Sequence, residues 1–203
     1  MAELPQITTI YNGVRDFGRE RTEWNLNDIL RFCCIGALNE GKNQRELLEA
    51  AVELLKRNIR TFSISIVGDG GDYSVKLKNF ISENKLEDYV HMTGYRADIE
   101  NVLFSSDVGV IPSKAEAFGR VTCEYMLAGM PVIGAKSGGT TELISDGEDG
   151  ILYSVGDVTA LADAMQYFIE HREAVKKMGI TAKNKAKEKF TVNRNTDAVY
   201  EEI

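Results

Sequence analysis

The chain has 203 residues, 43% of them apolar and 27% charged, with a formal charge of −7 and a pI near 5. Those figures exclude a disordered tail and a disulfide-stapled miniprotein. They also argue against a surface for nucleic acid or an anionic membrane, which clustered Lys and Arg would supply.

The first thirty residues carry Pro5, an Asn12-Gly13 pair that reads as a turn, and mixed charge without a period. They read as a connector, residues 1–30, and a connector at the start implies a further segment upstream. This N-terminus lacks the basic and apolar regions of a signal peptide, and no run approaches the ~18 apolar residues of a spanning helix. A cytoplasmic protein is expected, with at most peripheral membrane contact.

From residue 31 to 203 short β-branched runs alternate with helical patterns, the signature of consecutive βα units. Strands are predicted at 31–35, 62–67, 90–93, 108–111, 131–134 and 151–153. Between the first two, Leu47, Leu48, Ala51, Leu54 and Leu55 repeat at helical spacing over 43–57, behind an Asn43-x-x-Glu46 start that resembles a capping box. Further helices are predicted at about 74–84, 99–104, 119–127, 139–144 and 158–171. From Arg172 onward, Lys176, Lys177, Lys183, Lys185, Lys187 and Lys189 lie among Ala and Glu, which reads as a solvated helix pair. The fold class is therefore α/β, a Rossmann-like doubly wound parallel sheet.

Several residues receive plain structural readings. Cys33, Cys34 and Cys123 form no CxxC and give no disulfide framework or zinc site. Cys123 reads as a small buried apolar residue, His91 as a core or rim histidine, Asp107 as a local cap and Lys114 as a solvated charge. Trp24 has no assigned role.

In an open parallel sheet, ligands sit beyond the carboxyl ends of the strands. The loops there are rich in Gly and Lys: 36–42, 68–71, 112–119 and 135–139. Such loops suit phosphate, although each glycine taken alone is better explained by turn geometry. Lys42 is followed by Asn43 rather than Ser or Thr, so the P-loop pattern fails, and no GxGxxG follows the first strand. Glu116 precedes the helix expected at Gly119, and Glu124 lies inside it. Side chains lean toward a helix N-terminus, so both carboxylates can border one crevice and accept hydrogen bonds from vicinal hydroxyls. Favourable interaction with the helix dipole for Glu116 and a solvated face for Glu124 explain the same spacing.

The run Glu116-Ala117-Phe118-Gly119-Arg120-Val121-Thr122-Cys123-Glu124 resembles the E-x7-E segment of retaining glycosyltransferases of family 4, which have the GT-B fold. Tyr11-Asn12-Gly13-Val14, the loop from Gly36 to Lys42, Val67-Gly68-Asp69-Gly70, Thr93-Gly94-Tyr95-Arg96, Gly129-Met130-Pro131 and Gly138-Gly139 with Glu142 are similar to that family in order and spacing. The resemblance covers about residues 8–203. It implies the C-terminal, donor-binding lobe of a two-lobed hexosyltransferase of polysaccharide biosynthesis, with the N-terminal acceptor lobe missing and the isolated lobe inactive.

Carried over by position, Glu116 is implied as the catalytic residue near the reacting face. Glu124 is implied to bind ribose hydroxyls, Ala117, Phe118 and Gly119 the sugar, and Arg120 and Val121 the diphosphate. Tyr95 and Arg96 fall in the base-contacting loop, Gly36 and Gly68 in the donor loops, and Lys42 matches the lysine that neutralises the diphosphate. The implied substrate is a nucleotide-diphosphate sugar, UDP favoured, with no cofactor, no metal and no nucleic acid; membrane contact is expected through the acceptor only. The family usually has Arg after the first-loop glycine, where this chain has Ala37, and Arg120 is expected to supply that charge. A sugar-nucleotide epimerase of the same fold and a non-catalytic nucleotide-binding module stay open as alternatives.

Overall fold

A computed structural model describes residues 10–24 and 29–201. Six parallel strands form one sheet in the order β3-β2-β1-β4-β5-β6, the order of a doubly wound nucleotide-binding sheet. The strands are β1 Leu30–Ile35, β2 Phe62–Val67, β3 Val90–Gly94, β4 Val108–Ile111, β5 Val132–Ala135 and β6 Gly150–Tyr153. Each lies within one residue of its predicted bounds, because Gly, Pro and Asp punctuate short runs of Val and Ile.

Neighbouring strand residues face opposite layers. Phe32 and Cys34 join α1 (Gln44–Lys56), α2 (Gly71–Glu83) and α6 (Val158–Glu170) in one core. Cys33 joins α3 (Ile99–Phe104), α4 (Arg120–Leu127), α5 (Thr140–Leu143) and the inner face of α7 (Arg172–Lys189) in the other. Leu47, Leu48 and Leu54 of α1 are fully buried, each contributing roughly 1.5–3 kcal/mol. The three cysteines are free and buried, and burial pushes each thiol up to about 12. Adjacent Cys33 and Cys34 point to opposite sides of the sheet. Among the described residues no helix is long and apolar enough to cross a membrane.

Four local expectations change. Asn43 makes no capping bond to the α1 backbone; it has a left-handed backbone, and its amide donates to the Glu46 carboxylate. Glu46 instead accepts from Gly156 N at 2.9 Å, tying α1 to the β6–α6 loop, and burial raises its pKa. The Asn12-Gly13 pair forms no turn. Its segment runs straight into a parallel bridge between Val14 and Thr191. A Cβ on Gly13 would lie 2.5 Å from Val192 Cα, so glycine here answers a close approach rather than a bend.

The lysine-rich helix α7 is not simply solvated. Lys183 is buried, ion-paired with Glu20 at 2.7 Å and donating to Arg19 O. Lys185 donates to Asp149, whose carboxylate is 1% exposed, at 2.8 Å. Asp107 is no local cap either: it takes a two-pronged bond from Arg31. The connector within 10–24 packs firmly on the lobe. Buried Arg21 donates to Ala128 O and Leu103 O at 2.9 and 2.8 Å, and burial lowers its pKa to about 10. His91 is exposed on edge strand β3, the rim position. Trp24 packs half-buried on the core beneath Lys176. The last helix is α8 (Val192–Glu201). The expected connector over 1–30 lies partly outside the described residues, namely 1–9 and 25–28.

Candidate functional site

The loops at the carboxyl ends of the strands are joined to one another by backbone bonds. Leu38 N donates to Asp69 O at 3.0 Å, Gly68 N to Gly94 O at 2.9 Å, Lys114 N to Gly41 O at 2.8 Å and Gly139 N to Glu116 O at 2.8 Å. Ser137 Oγ adds a bond to Ser113 O at 2.7 Å. Glycines make this approach possible. A Cβ on Gly68 would stand 1.9 Å from Gly36 O, and one on Gly138 2.1 Å from Glu116 O. Below them, Tyr125 pins α4 to the end of β1 by accepting from Ile35 N at 2.8 Å and donating to Cys33 O at 3.2 Å.

Two cavities open along this rim. The first, of about 330 Å³, has Asn12, Lys42, Gln44, Glu116, Phe118 and Arg120 among its walls. The second, of about 400 Å³, is lined by Gly36, Gly68, Asp69, Tyr95 and Arg96 among others. Ile35 belongs to both, so they are neighbours. Both volumes are in the range of small-molecule sites.

In the first cavity Lys42 Nζ and Glu116 Oε2 are 2.6 Å apart. The two residues that sequence reasoning placed on diphosphate and sugar thus stand one hydrogen bond from each other. Among the described residues nothing accepts from the successive amides of Ala117, Phe118, Gly119, Arg120 and Val121. Those of Arg120 and Val121 open the first turn of α4, where the helix dipole favours an anion. Arg120 is exposed and forms no ion pair there. One edge of this loop is held by rings: Tyr11 stacks on Phe118 at 6.1 Å, and Phe190 meets both edge-on.

Gly36, Gly68, Tyr95 and Arg96 come together at the second cavity. The Tyr95 ring is largely exposed, and Arg96 is engaged by Asp98 in a two-pronged bond at 2.6 and 2.5 Å. That pairing holds the Asp98 carboxyl down to about 2. Glu124 lines neither cavity. It sits one turn beyond Arg120, half-buried, and burial raises its pKa while Arg120 pulls it back. Ala117 is exposed and lines neither cavity, its carbonyl against Gly139. Among the described residues no group of three His, Cys, Asp or Glu side chains could hold a metal ion.

Sequence reasoning missed two cavity residues. Gln44 is buried, donates to Ala37 O at 3.0 Å, and leaves its Oε1 without a partner among the described residues. Its signal was a polar residue on the buried face of an amphipathic helix. Asn12 was read as a turn former.

Comparison with known proteins places this geometry. A protein-family model described as glycosyl transferases group 1 matches residues 15–185. N-acetyl-alpha-D-glucosaminyl L-malate synthase of Bacillus anthracis is 27% identical over 192 residues, covering 91% of this chain and 50% of that protein. The crystal structure of Anabaena HepE in complex with UDP-glucose superposes with a TM-score of 0.80 at 30% identity, over 87% of this chain and 48% of that one. The crystal structure of TarM, 20% identical, shares the fold with a TM-score of 0.86 over 98% of this chain and 39% of that one. The chain spans about half the length of the relatives it matches. It belongs to the glycosyl transferases group 1 family, and its Rossmann-like sheet is that of a GT-B glycosyltransferase lobe.

Proposed function

We propose that this chain is the donor-binding lobe of a retaining family 4 hexosyltransferase, with a UDP-sugar as donor. One observation carries the reading: four consecutive residues whose amides have no acceptor among the described residues, Phe118 to Val121, converge with Lys42 and Glu116 on one cavity at the rim of a parallel sheet. Such amides and cations donate to pyrophosphate oxygens, and a carboxylate accepts from hydroxyls. The nucleoside would occupy the neighbouring cavity at Gly36, Gly68, Tyr95 and Arg96, with the ribose reaching toward Glu124. Complexes of Anabaena HepE with UDP and with UDP-glucose support UDP as the first donor to try.

In the reaction the bond from the anomeric carbon to the diphosphate oxygen breaks, and the acceptor hydroxyl oxygen forms the new bond on the same face of the sugar while its proton passes to the departing diphosphate. Charge grows on the leaving diphosphate, so preorganised cations and amides lower the barrier. Lys42 and the amides at Arg120 and Val121 fill that role. Arg120 supplies a second cation that Ala37 does not. Glu116 orients hydroxyls of the transferred sugar. The acceptor site is assigned to the half of the relatives' length that this chain does not cover, so the lobe described here binds donor and needs a partner lobe for transfer. No cofactor and no metal enters this scheme.

Thermal unfolding against UDP, GDP, ADP and their sugars tests the reading. A ligand at a hundred times its dissociation constant adds ~2.7 kcal/mol, which raises the Tm of a chain this size by roughly 5 to 11 °C. No shift with any of these compounds would refute it.

A further inference from the structure

We infer that Asn12, from the segment leading into the sheet, is a sugar-reading residue of the first cavity. The inference deepens the donor-site reading and rests on it. Asn12 lines that cavity together with Glu116, Lys42 and Phe118. Its side chain has no hydrogen-bond partner among the described residues, and the residue is exposed at the cavity wall.

The backbone on either side of Asn12 is fixed. Tyr11 O accepts from Asn195 Nδ2 at 2.7 Å, and the Tyr11 ring is wedged between Phe118 and Phe190. Gly13 lies against Val192, Val14 N donates to Phe190 O at 2.8 Å, and Val192 N donates to Val14 O at 3.1 Å. Asn12 is thus presented to the cavity from a rigid mount. Such mounting is what separates a reading group from a mobile surface amide, because little ordering entropy remains to be lost on binding.

Nor does the backbone call for asparagine here. Among the described residues the non-glycine positions with positive φ are Asn43, Asn58 and Lys85, and Asn12 is not one of them. With no turn to form and no cap to make, its amide is left for an outside partner. A carboxamide offers donors and an acceptor together, which suits a sugar hydroxyl that also does both. A phosphate oxygen uses only the donors, and Lys42, Arg120 and the α4 amides already face that group. The chemistry therefore assigns Asn12 to the hexose.

The test is calorimetric titration of the 203-residue chain and its Asn12→Ala variant with UDP, UDP-glucose, UDP-galactose and UDP-N-acetylglucosamine. Asn12→Ala should leave the UDP dissociation constant within about twofold. It should weaken the UDP-sugar that the wild type holds tightest by roughly 3- to 10-fold, the worth of one or two neutral hydrogen bonds. The relative preference among the three sugars should narrow. The Tm of the variant should stay within about 2 °C of wild type, since the side chain supports nothing else. Equal weakening of UDP and UDP-sugars, or no weakening of either, overturns the inference while leaving the donor site standing. A wild-type chain that binds none of the four compounds overturns the donor-site reading first, and this inference with it.

Discussion

The geometry of Glu116 depends on a glycine packed against its backbone. Gly138 has φ +47°, and a Cβ there would lie 2.1 Å from the Glu116 carbonyl oxygen. Ordinary contact begins near 3.4 Å, so in Gly138→Ala one of the two backbones must yield by ~1.3 Å. Gly147 provides the control, because its φ is +79° and a Cβ would meet nothing within 4 Å. Left-handed backbone costs a residue with a side chain about 1–2 kcal/mol, so Gly147→Ala should lower the Tm by roughly 2 to 8 °C. Gly138→Ala carries the same strain plus ~1–3 kcal/mol for the forced shift, and should melt lower still. The larger effect belongs to binding. A displacement near 1 Å at a positioned group costs on the order of 100-fold in rate, and the UDP-sugar dissociation constant should rise at least tenfold in Gly138→Ala and stay unchanged in Gly147→Ala. Calorimetry with UDP-glucose, beside thermal melts of both variants, decides the matter. Equal affinity in the two variants would mean that the Gly138-Gly139 turn does not position the Glu116 loop.

Arg120→Ala should raise the UDP dissociation constant at least tenfold by calorimetry and lower the Tm only slightly, since Arg120 is exposed, forms no ion pair among the described residues and acts on the chain only by favouring the Glu124 carboxylate; an unchanged constant would show that it does not replace the cation missing at Ala37. Glu124→Gln should stabilise the chain at neutral pH but abolish protection by UDP. Burial raises the folded pKa of Glu124 above its usual 4.5, so its protonated form is favoured and stability is lost as pH rises through the folded value. The Tm advantage of the variant should therefore vanish below about pH 4.5 and open above it, and a pH series of melts without that crossover refutes the assignment. Lys185→Met leaves the buried Asp149 carboxylate without its cation. That costs ~3–5 kcal/mol, or roughly 6 to 20 °C of Tm, whereas a solvated lysine would cost almost nothing in the same melt.

The sheet was legible because a parallel strand buried on both faces has to read as a short apolar run, and β4 and β5, each with all four residues buried, are the clearest cases. The rim loops were legible for a related reason: close backbone approach admits only glycine at Gly68 and Gly138, and those glycines stand in the sequence. What was not legible depends on distant partners. Lys183 and Lys185 look like their solvated neighbours until Glu20 and Asp149 face them. Asn43-x-x-Glu46 has capping-box spacing, but Glu46 is drawn away by Gly156, 110 residues downstream. Asn12-Gly13 has turn composition, but Gly13 serves contact with Val192. Of the candidate site, Lys42, Glu116, Phe118, Gly119, Arg120 and Val121 meet at one cavity, and Gly36, Gly68, Tyr95 and Arg96 meet at its neighbour. Glu124 stands apart from both, because seven residues separate it from Glu116 and a loop, not a helix, bridges the first half of that distance.

A crystal structure of the chain with UDP-glucose addresses the donor site most directly. The diphosphate is expected within ~2.7–3.1 Å of the Arg120 and Val121 amides and of Lys42 Nζ, with Lys42 drawn off Glu116 and the hexose between Glu116 and Asn12. A diphosphate bound elsewhere, with the Lys42 and Glu116 pair intact at 2.6 Å, would contradict the account.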